Sequence, residues 1–166
     1  MNWPICDICL NSDILCSGCQ DKIKTGKVKE NEVKIARSLF DLSKKIKTLK
    51  EAELVKIIDS DIIVLVTKKG DGPKVVGKSG AIVKSLAKEF NKPIKVIEHE
   101  NDMKEFAEGI LKPAKISGMN KVYGKDGEEI KFRVSNKDKK RIRINSDSFC
   151  EMINSLYNCK TRLIFE

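Results

Sequence analysis

Cys6, Cys9, Cys16 and Cys19 form two Cys-x2-Cys pairs with six residues between them. A chain reversal of that length can point both thiolates of a pair at one ion, so two pairs complete a tetrahedral site. Four sulfur ligands leave no position open for water, which makes such a site structural rather than catalytic, and zinc is the expected ion. An iron–sulfur cluster or a redox pair would draw on the same residues. Disulfides would need an oxidising compartment, to which nothing in the sequence points. The apolar residues within positions 1 to 25 show no sustained helical or strand period. That segment cannot supply a core of its own, and its folding is expected to depend on the metal. Cys150 and Cys159 stand far from these four and are expected to be buried structural thiols.

The second constellation is rich in glycine and can be read in two ways. Gly72-Pro73-Lys74-Val75-Val76-Gly77-Lys78-Ser79 satisfies GxxxxGK[ST] between a predicted strand and a predicted helix, the pattern of a phosphate-binding P-loop. A P-loop wraps successive backbone amides around phosphate, however, and Pro73, Val75 and Val76 would crowd that nest. The acidic magnesium ligand would have to be Glu98, which follows Ile94 to Ile97. The other reading uses Gly80 as well. Val75-Val76-Gly77-Lys78-Ser79-Gly80, followed by Val83 and Leu86, places a tight Gly-x-x-Gly loop between two helices and resembles the KH signature at every defined position. Glycines let the backbone approach a single-stranded sugar-phosphate chain, and lysine adds charge. On this reading Gly77, Lys78, Ser79 and Gly80 contact RNA, with Lys74, Val76 and Lys84 beside them and the bases in an adjoining aliphatic groove.

These residues need elements to hold them. Val33, Ala36, Leu39, Phe40, Ile46 and Leu49 recur near the helical period and predict one amphipathic helix from about Lys29 to Lys50. Its Lys34, Arg37, Lys44, Lys45 and Lys47 could extend an RNA track. Ala52 to Ile58 and Asp61 to Thr67 read as strands around a turn at Asp59-Ser60, and Lys69 to Pro73 breaks the chain. Ile82, Val83, Leu86, Ala87 and Phe90 mark the buried stripe of the helix after the loop, and Ile94 to Ile97 a third strand. Asp102 is placed to cap a helix reaching about Leu111. Asp126-Gly127 signals a hairpin joining Lys115–Tyr123 to Glu128–Val134. A helix from Ser146 or Asp147 to Asn158 and a strand from Thr161 to Phe165 follow.

The order helix, strand, strand, helix, strand thus occurs twice. Displaced by 67 positions, Val83, Leu86, Phe90, Asn91, Val96 and Ile97 fall on Cys150, Ile153, Tyr157, Asn158, Leu163 and Ile164. Gly77 and Gly80 fall on Ile144 and Asp147, so a related second half has lost its glycines, although Lys137 to Arg143 remains basic.

Composition narrows the partners. Hydrophobic residues make up 40 % and charged residues 34 %, enough for cores, and the net charge of +9 favours an anionic partner. No apolar run approaches the roughly 20 residues that span a bilayer, and the opening Met1-Asn2-Trp3-Pro4 lacks a signal-peptide pattern, so a cytoplasmic protein with no membrane partner is expected. His99, the one histidine, has no nucleophile placed beside it by the sequence and is expected on the surface or in packing. No enzyme is expected, because no spacing assembles a nucleophile, a base or an open metal site.

Residues 50 to 166 resemble the tandem KH region of the NusA transcription factors, in particular the small archaeal NusA-like proteins. Ile110-Leu111-Lys112-Pro113-Ala114-Lys115-Ile116 and Asp126-Gly127-Glu128-Glu129 resemble the link into that family's second KH domain. The resemblance implies single-stranded RNA binding in transcription elongation or termination, carried by Gly77, Lys78, Ser79 and Gly80. The expected fold is α+β: a zinc knuckle at 1–25, a linking amphipathic helix at 26–50, a type II KH domain at 51–101, and a degenerate KH-like domain at 102–166. Each KH-like part would be a three-stranded sheet with helices on one face. Two other functions use the same residues: a structural adaptor that grips RNA polymerase or the ribosome through the zinc module, and a P-loop nucleotide-binding protein.

Overall fold

Ile63-Val64-Leu65-Val66-Thr67 is an unbroken β-branched and apolar run, and all five residues are buried, which is what the middle strand of a covered sheet requires. In the computed structural model, which describes residues 3–166, this strand (β2) is flanked by β1 (Leu54–Asp59) and β3 (Ile94–Glu98). β1 pairs antiparallel, with Ile57 opposite Leu65, and β3 pairs parallel, with Leu65 opposite Val96. The chain divides into two compact units, residues 1–99 and 100–166.

The first unit opens with two short helices, α1 (Asp7–Leu10) and α2 (Ser17–Lys24), where no period was expected. Their order comes from packing: Ile5, Cys9, Leu10 and Cys19 are buried in the same apolar cluster as Val33, Ile35, Ala36 and Leu39 of α3 (Glu30–Lys45). The predicted single helix is broken at Ile46, whose φ of −116° and ψ of 108° are extended, and restarts as α4 (Lys47–Glu51). A continuous helix would carry Leu49 about 15 Å beyond Leu39 along its axis. The break instead turns the chain back, burying Leu49 and Ala52 and delivering Leu54 to β1.

A buried carboxylate fastens α3 to the sheet. Glu32 accepts the Lys29 backbone N–H at 3.1 Å, the glutamate half of a capping box, and with its other oxygen accepts the Asp59 N–H at 3.2 Å. Lys29 Nζ donates to the Asp59 carbonyl at 2.7 Å, and Lys92 Nζ to the Asp59 carboxylate at 2.8 Å. Asp59 therefore ends a strand as a buried, paired residue, and the turn lies beyond it.

Between β2 and β3 run α5 (Gly72–Val76), the Gly77–Gly80 connection and α6 (Ala81–Phe90). The second unit holds α7 (Met103–Leu111), the hairpin β4 (Ile116–Gly124) and β5 (Gly127–Val134), a 3-10 turn at Asn136–Arg141, α8 (Ser146–Tyr157) and β6 (Lys160–Phe165). The Asp102 carboxylate caps α7 by accepting from Lys104 N at 2.7 Å. Phe132 and Phe149, fully buried, meet edge to face at 5.5 Å in its core.

The internal repeat is visible in the strand register. Ile63 faces Ile94 in the first unit and Ile130 faces Thr161 in the second, so the parallel ladders correspond at the same displacement of 67. Asn91 and Asn158, the matched helix ends, both adopt the left-handed conformation, with φ of 51° and 50°. Both sheets follow one order, with an antiparallel and then a parallel pairing. No helix among the described residues is long and apolar enough to cross a membrane.

Glu32→Ala leaves two backbone donors without their acceptor, one of them at the buried Asp59. It is expected to lower unfolding free energy by about 1–3 kcal/mol, measured by urea titration, whereas Lys140→Ala at an exposed position should change it by less than about 0.5 kcal/mol.

Candidate functional site

Cys6 and Cys16 each stand just before a helix, and Cys9 and Cys19 lie in the first turns of α1 and α2. All four sulfurs thus gather where helix N-termini offer unpaired backbone N–H groups. The Cys16 N–H donates to Cys9 Sγ at 3.2 Å and the Cys6 N–H to Cys19 Sγ at 3.4 Å, so each pair supports a sulfur of the other. Cys6 Sγ lies 3.4 Å from Cys9, 3.8 Å from Cys19 and 4.0 Å from Cys16, and all four sulfurs lie within 4.8 Å of one another. A tetrahedral centre with bonds of about 2.3 Å needs sulfur–sulfur edges of about 3.8 Å. The cluster fits that requirement and can hold a metal ion.

The sulfurs are electrostatically unequal. The Cys19 backbone amide and side chain lower the Cys16 thiol to about 7, and the Cys9 backbone amide lowers that of Cys6. The Cys16 amide also pulls on Cys9, but burial and the three neighbouring sulfurs outweigh it and push that thiol up to about 12. A bound cation would reverse the last effect, because metal coordination deprotonates a thiol outright. Arg37 of α3 donates through Nε to the Cys9 carbonyl at 3.2 Å, and its Nη2 is buried without a hydrogen-bond partner among the described residues. This sets a guanidinium charge beside the module.

At the glycine loop the backbone leaves the ordinary regions three times in four residues. Gly77 has φ 79° and ψ 174°, a conformation essentially confined to glycine. Ser79 and Gly80 follow in the left-handed region, with φ of 54° and 73°. A Cβ on Gly77 would also stand 2.8 Å from a side-chain carbon of Ile82, whereas one on Gly80 would meet nothing closer than 3.7 Å. Lys78 and Ser79 are exposed at the tip, Lys84 is exposed one turn into α6, and Val76 is half-buried. Val83, Ala87 and Phe90, expected in the buried stripe, are half-buried; Phe90 packs against the core that Ile82 and Leu86 enter.

Lys74 is placed differently from its neighbours. Its ammonium lies 2.9 Å from the Asp71 carboxylate, which also accepts the Glu53 N–H at 2.9 Å. Lys74 holds Asp71 below the usual carboxylate range and is itself raised by Asp71. This pair pins the start of α5, and the Lys74 charge faces an internal partner. The amides of Lys74 and Gly77 donate to the carbonyls of Asp71 and Pro73. They are therefore spent inside a helical turn rather than lining a phosphate nest. Glu98 accepts from Gly72 N at 3.3 Å.

In the second unit the corresponding connection contains no glycine. Its 3-10 turn and the residues after it expose Lys137, Lys139, Lys140, Arg141 and Arg143; Arg141 reaches Asp138 at 3.4 Å and Lys139 lies over the Phe165 ring at 5.3 Å. Cys150, within α8, and Cys159, just before β6, are half-buried rather than buried; burial raises both thiols. His99 continues β3, its N–H donating to the Thr67 carbonyl.

Comparison with known proteins bears on this geometry. The chain is 36 % identical over 69 residues to a probable transcription termination protein NusA of Methanococcus vannielii, covering 41 % of this chain and 40 % of that protein. It is 28 % identical over 71 residues to the protein of the same name from Methanocaldococcus jannaschii, covering 42 % and 39 %. Over those residues this chain is similar to both proteins. The alignments span about two fifths of each relative's length. No protein-family model matches. The crystal structure of APE1850 shares the fold, with a TM-score of 0.59 at 15 % identity over 78 % of this chain and 96 % of that one.

Two outcomes test the site. Mass spectrometry under non-denaturing conditions should find one divalent ion per chain, lost in Cys9→Ser/Cys19→Ser. Gly77→Ala, strained and clashing, should cost about 1–3 kcal/mol for its backbone alone and more in total than Gly80→Ala, where strain of about 1–2 kcal/mol acts by itself, as read by urea unfolding.

Proposed function

We propose that this chain binds single-stranded RNA through Gly77, Lys78, Ser79 and Gly80 of a type II KH domain, in a role linked to transcription elongation or termination. The observation that carries the reading is the loop itself. Two helices are joined by four residues, three of them at positive φ, and the exposed tip holds a lysine and a serine. That arrangement strips side-chain bulk from the backbone and lets a phosphate chain approach it. The sheet order, with two strands before the loop and a third after its helix, agrees with a type II KH domain. Both NusA-like relatives are named for transcription termination, which supports the same setting. The helical hydrogen bonding of Lys74 and Gly77 weighs against a P-loop nucleotide site.

In this proposal zinc occupies the four-cysteine cluster and has a structural part only: it would hold α1 and α2 together where the chain has little core to do so. The second unit is a KH-like domain without the glycine loop, and the protein is a binding protein rather than an enzyme. The adaptor reading keeps one specific support. Ile8 and Ile14 on the cysteine module are 79 % and 77 % exposed, an apolar pair suited to a protein surface such as that of RNA polymerase or the ribosome.

Binding of short single-stranded RNA over a salt series tests the proposal. The intact protein should bind with an affinity that falls as salt rises, and Lys78→Asp/Ser79→Asp should fold normally and lose at least about tenfold, since the exchange replaces a phosphate contact by repulsion. Equal binding by both proteins would move the RNA site elsewhere.

A further inference from the structure

Away from the glycine loop, the first unit carries a cleft of about 350 Å³ walled by Trp3, Phe40, Ser43, Lys44 and Lys50. Trp3 is the chain's one tryptophan. Its ring meets that of Phe40 at 5.8 Å with an interplanar angle of 86°, so the two form a corner rather than a closed stack. The Lys44 ammonium lies 4.5 Å from the Phe40 centroid and is tethered at 3.1 Å to Asn11 Oδ1 and at 3.4 Å to Asp41 Oδ1. Lys45, Lys47 and Lys50 are exposed along the same turn of chain. Among residues 44 to 51 the one acidic side chain is Glu51.

A perpendicular pair of aromatic rings, with Lys44 over one of them and Lys50 beside the cleft, matches a particular ligand chemistry. Successive bases of a single strand stack on aromatic side chains while lysines track the backbone, and every base has a face to offer. The volume equals that of roughly ten water molecules, which suits a heteroaromatic ring with its sugar. An acidic peptide would satisfy the lysines but would leave the ring surfaces without a planar partner.

We propose that the Trp3–Phe40 cleft is a second RNA contact that holds one unstacked nucleobase, with Lys44 and Lys50 at its mouth meeting the flanking phosphates. The proposal rests on the reading of the chain as a single-stranded RNA binder and assigns it a site that the glycine loop does not supply. Because the tryptophan is unique, its emission reports this cleft directly.

The test uses the full metal-loaded chain titrated with hexaadenylate RNA, reading Trp3 emission and, in parallel, the anisotropy of end-labelled RNA. A saturable change in Trp3 emission is expected, and it should persist in Lys78→Asp/Ser79→Asp. Lys44→Glu/Lys50→Glu, both at exposed positions, should abolish it, and Phe40→Leu, which keeps apolar bulk but removes the ring, should weaken it roughly tenfold. RNA bound by anisotropy with Trp3 emission unmoved, or moved equally in the cleft variants, overturns the cleft while the loop reading stands. A Trp3 response with no loss of affinity in the loop variant upholds the cleft and overturns the loop. A response to hexaglutamate peptide and none to RNA makes the cleft a protein site and overturns the proposal.

Discussion

The parallel pairing of β2 with β3 is the constraint on which the first unit depends. Parallel neighbours cannot be joined by a tight turn; the chain must leave one end of the sheet, cross a face and re-enter at the other. Here α5 and α6 make that crossing, and the reversal between them falls to four residues. So short a reversal between packed helices requires backbone conformations that side chains resist, and Ile82 presses against Gly77 from the helix that follows. The exposed Lys78-Ser79 tip is therefore a product of sheet topology.

The second unit meets the same constraint by other means. Its parallel ladder has the same register offset and its helix ends in the same left-handed cap, yet its crossing runs through a 3-10 turn of Asn136–Arg141. An extended connection to Asn145, which caps α8 by accepting from Ser148 N, completes the crossing. Without glycine the backbone is shielded, and exposed lysines and arginines occupy the position instead. A phosphate could meet charge there, but not the close backbone approach.

The cysteine module is tied to this framework rather than standing beside it. Cys9 and Cys19 are buried against α3, and Arg37 holds the Cys9 carbonyl from the same helix. Glu32 and Lys29, at the N-terminal end of α3, bond to Asp59 of the sheet. One helix thus connects the cysteine module to the strands that carry the crossover.

What could be read from the sequence was local. The spacing of Cys6, Cys9, Cys16 and Cys19, the Asp102 cap, the Asp126-Gly127 hairpin and the Gly77 to Gly80 loop each rest on residues close in sequence, where residue type restricts backbone and ligand geometry directly. Tertiary structure decided what depends on distant partners. It broke the long helix at Ile46 to bury Leu49, and it ordered α1 and α2 by packing them on α3. It drew the Lys74 charge to Asp71 and joined Trp3 to Phe40 across a cleft. A periodicity or a motif states which face a residue offers; only the packed chain determines what that face meets.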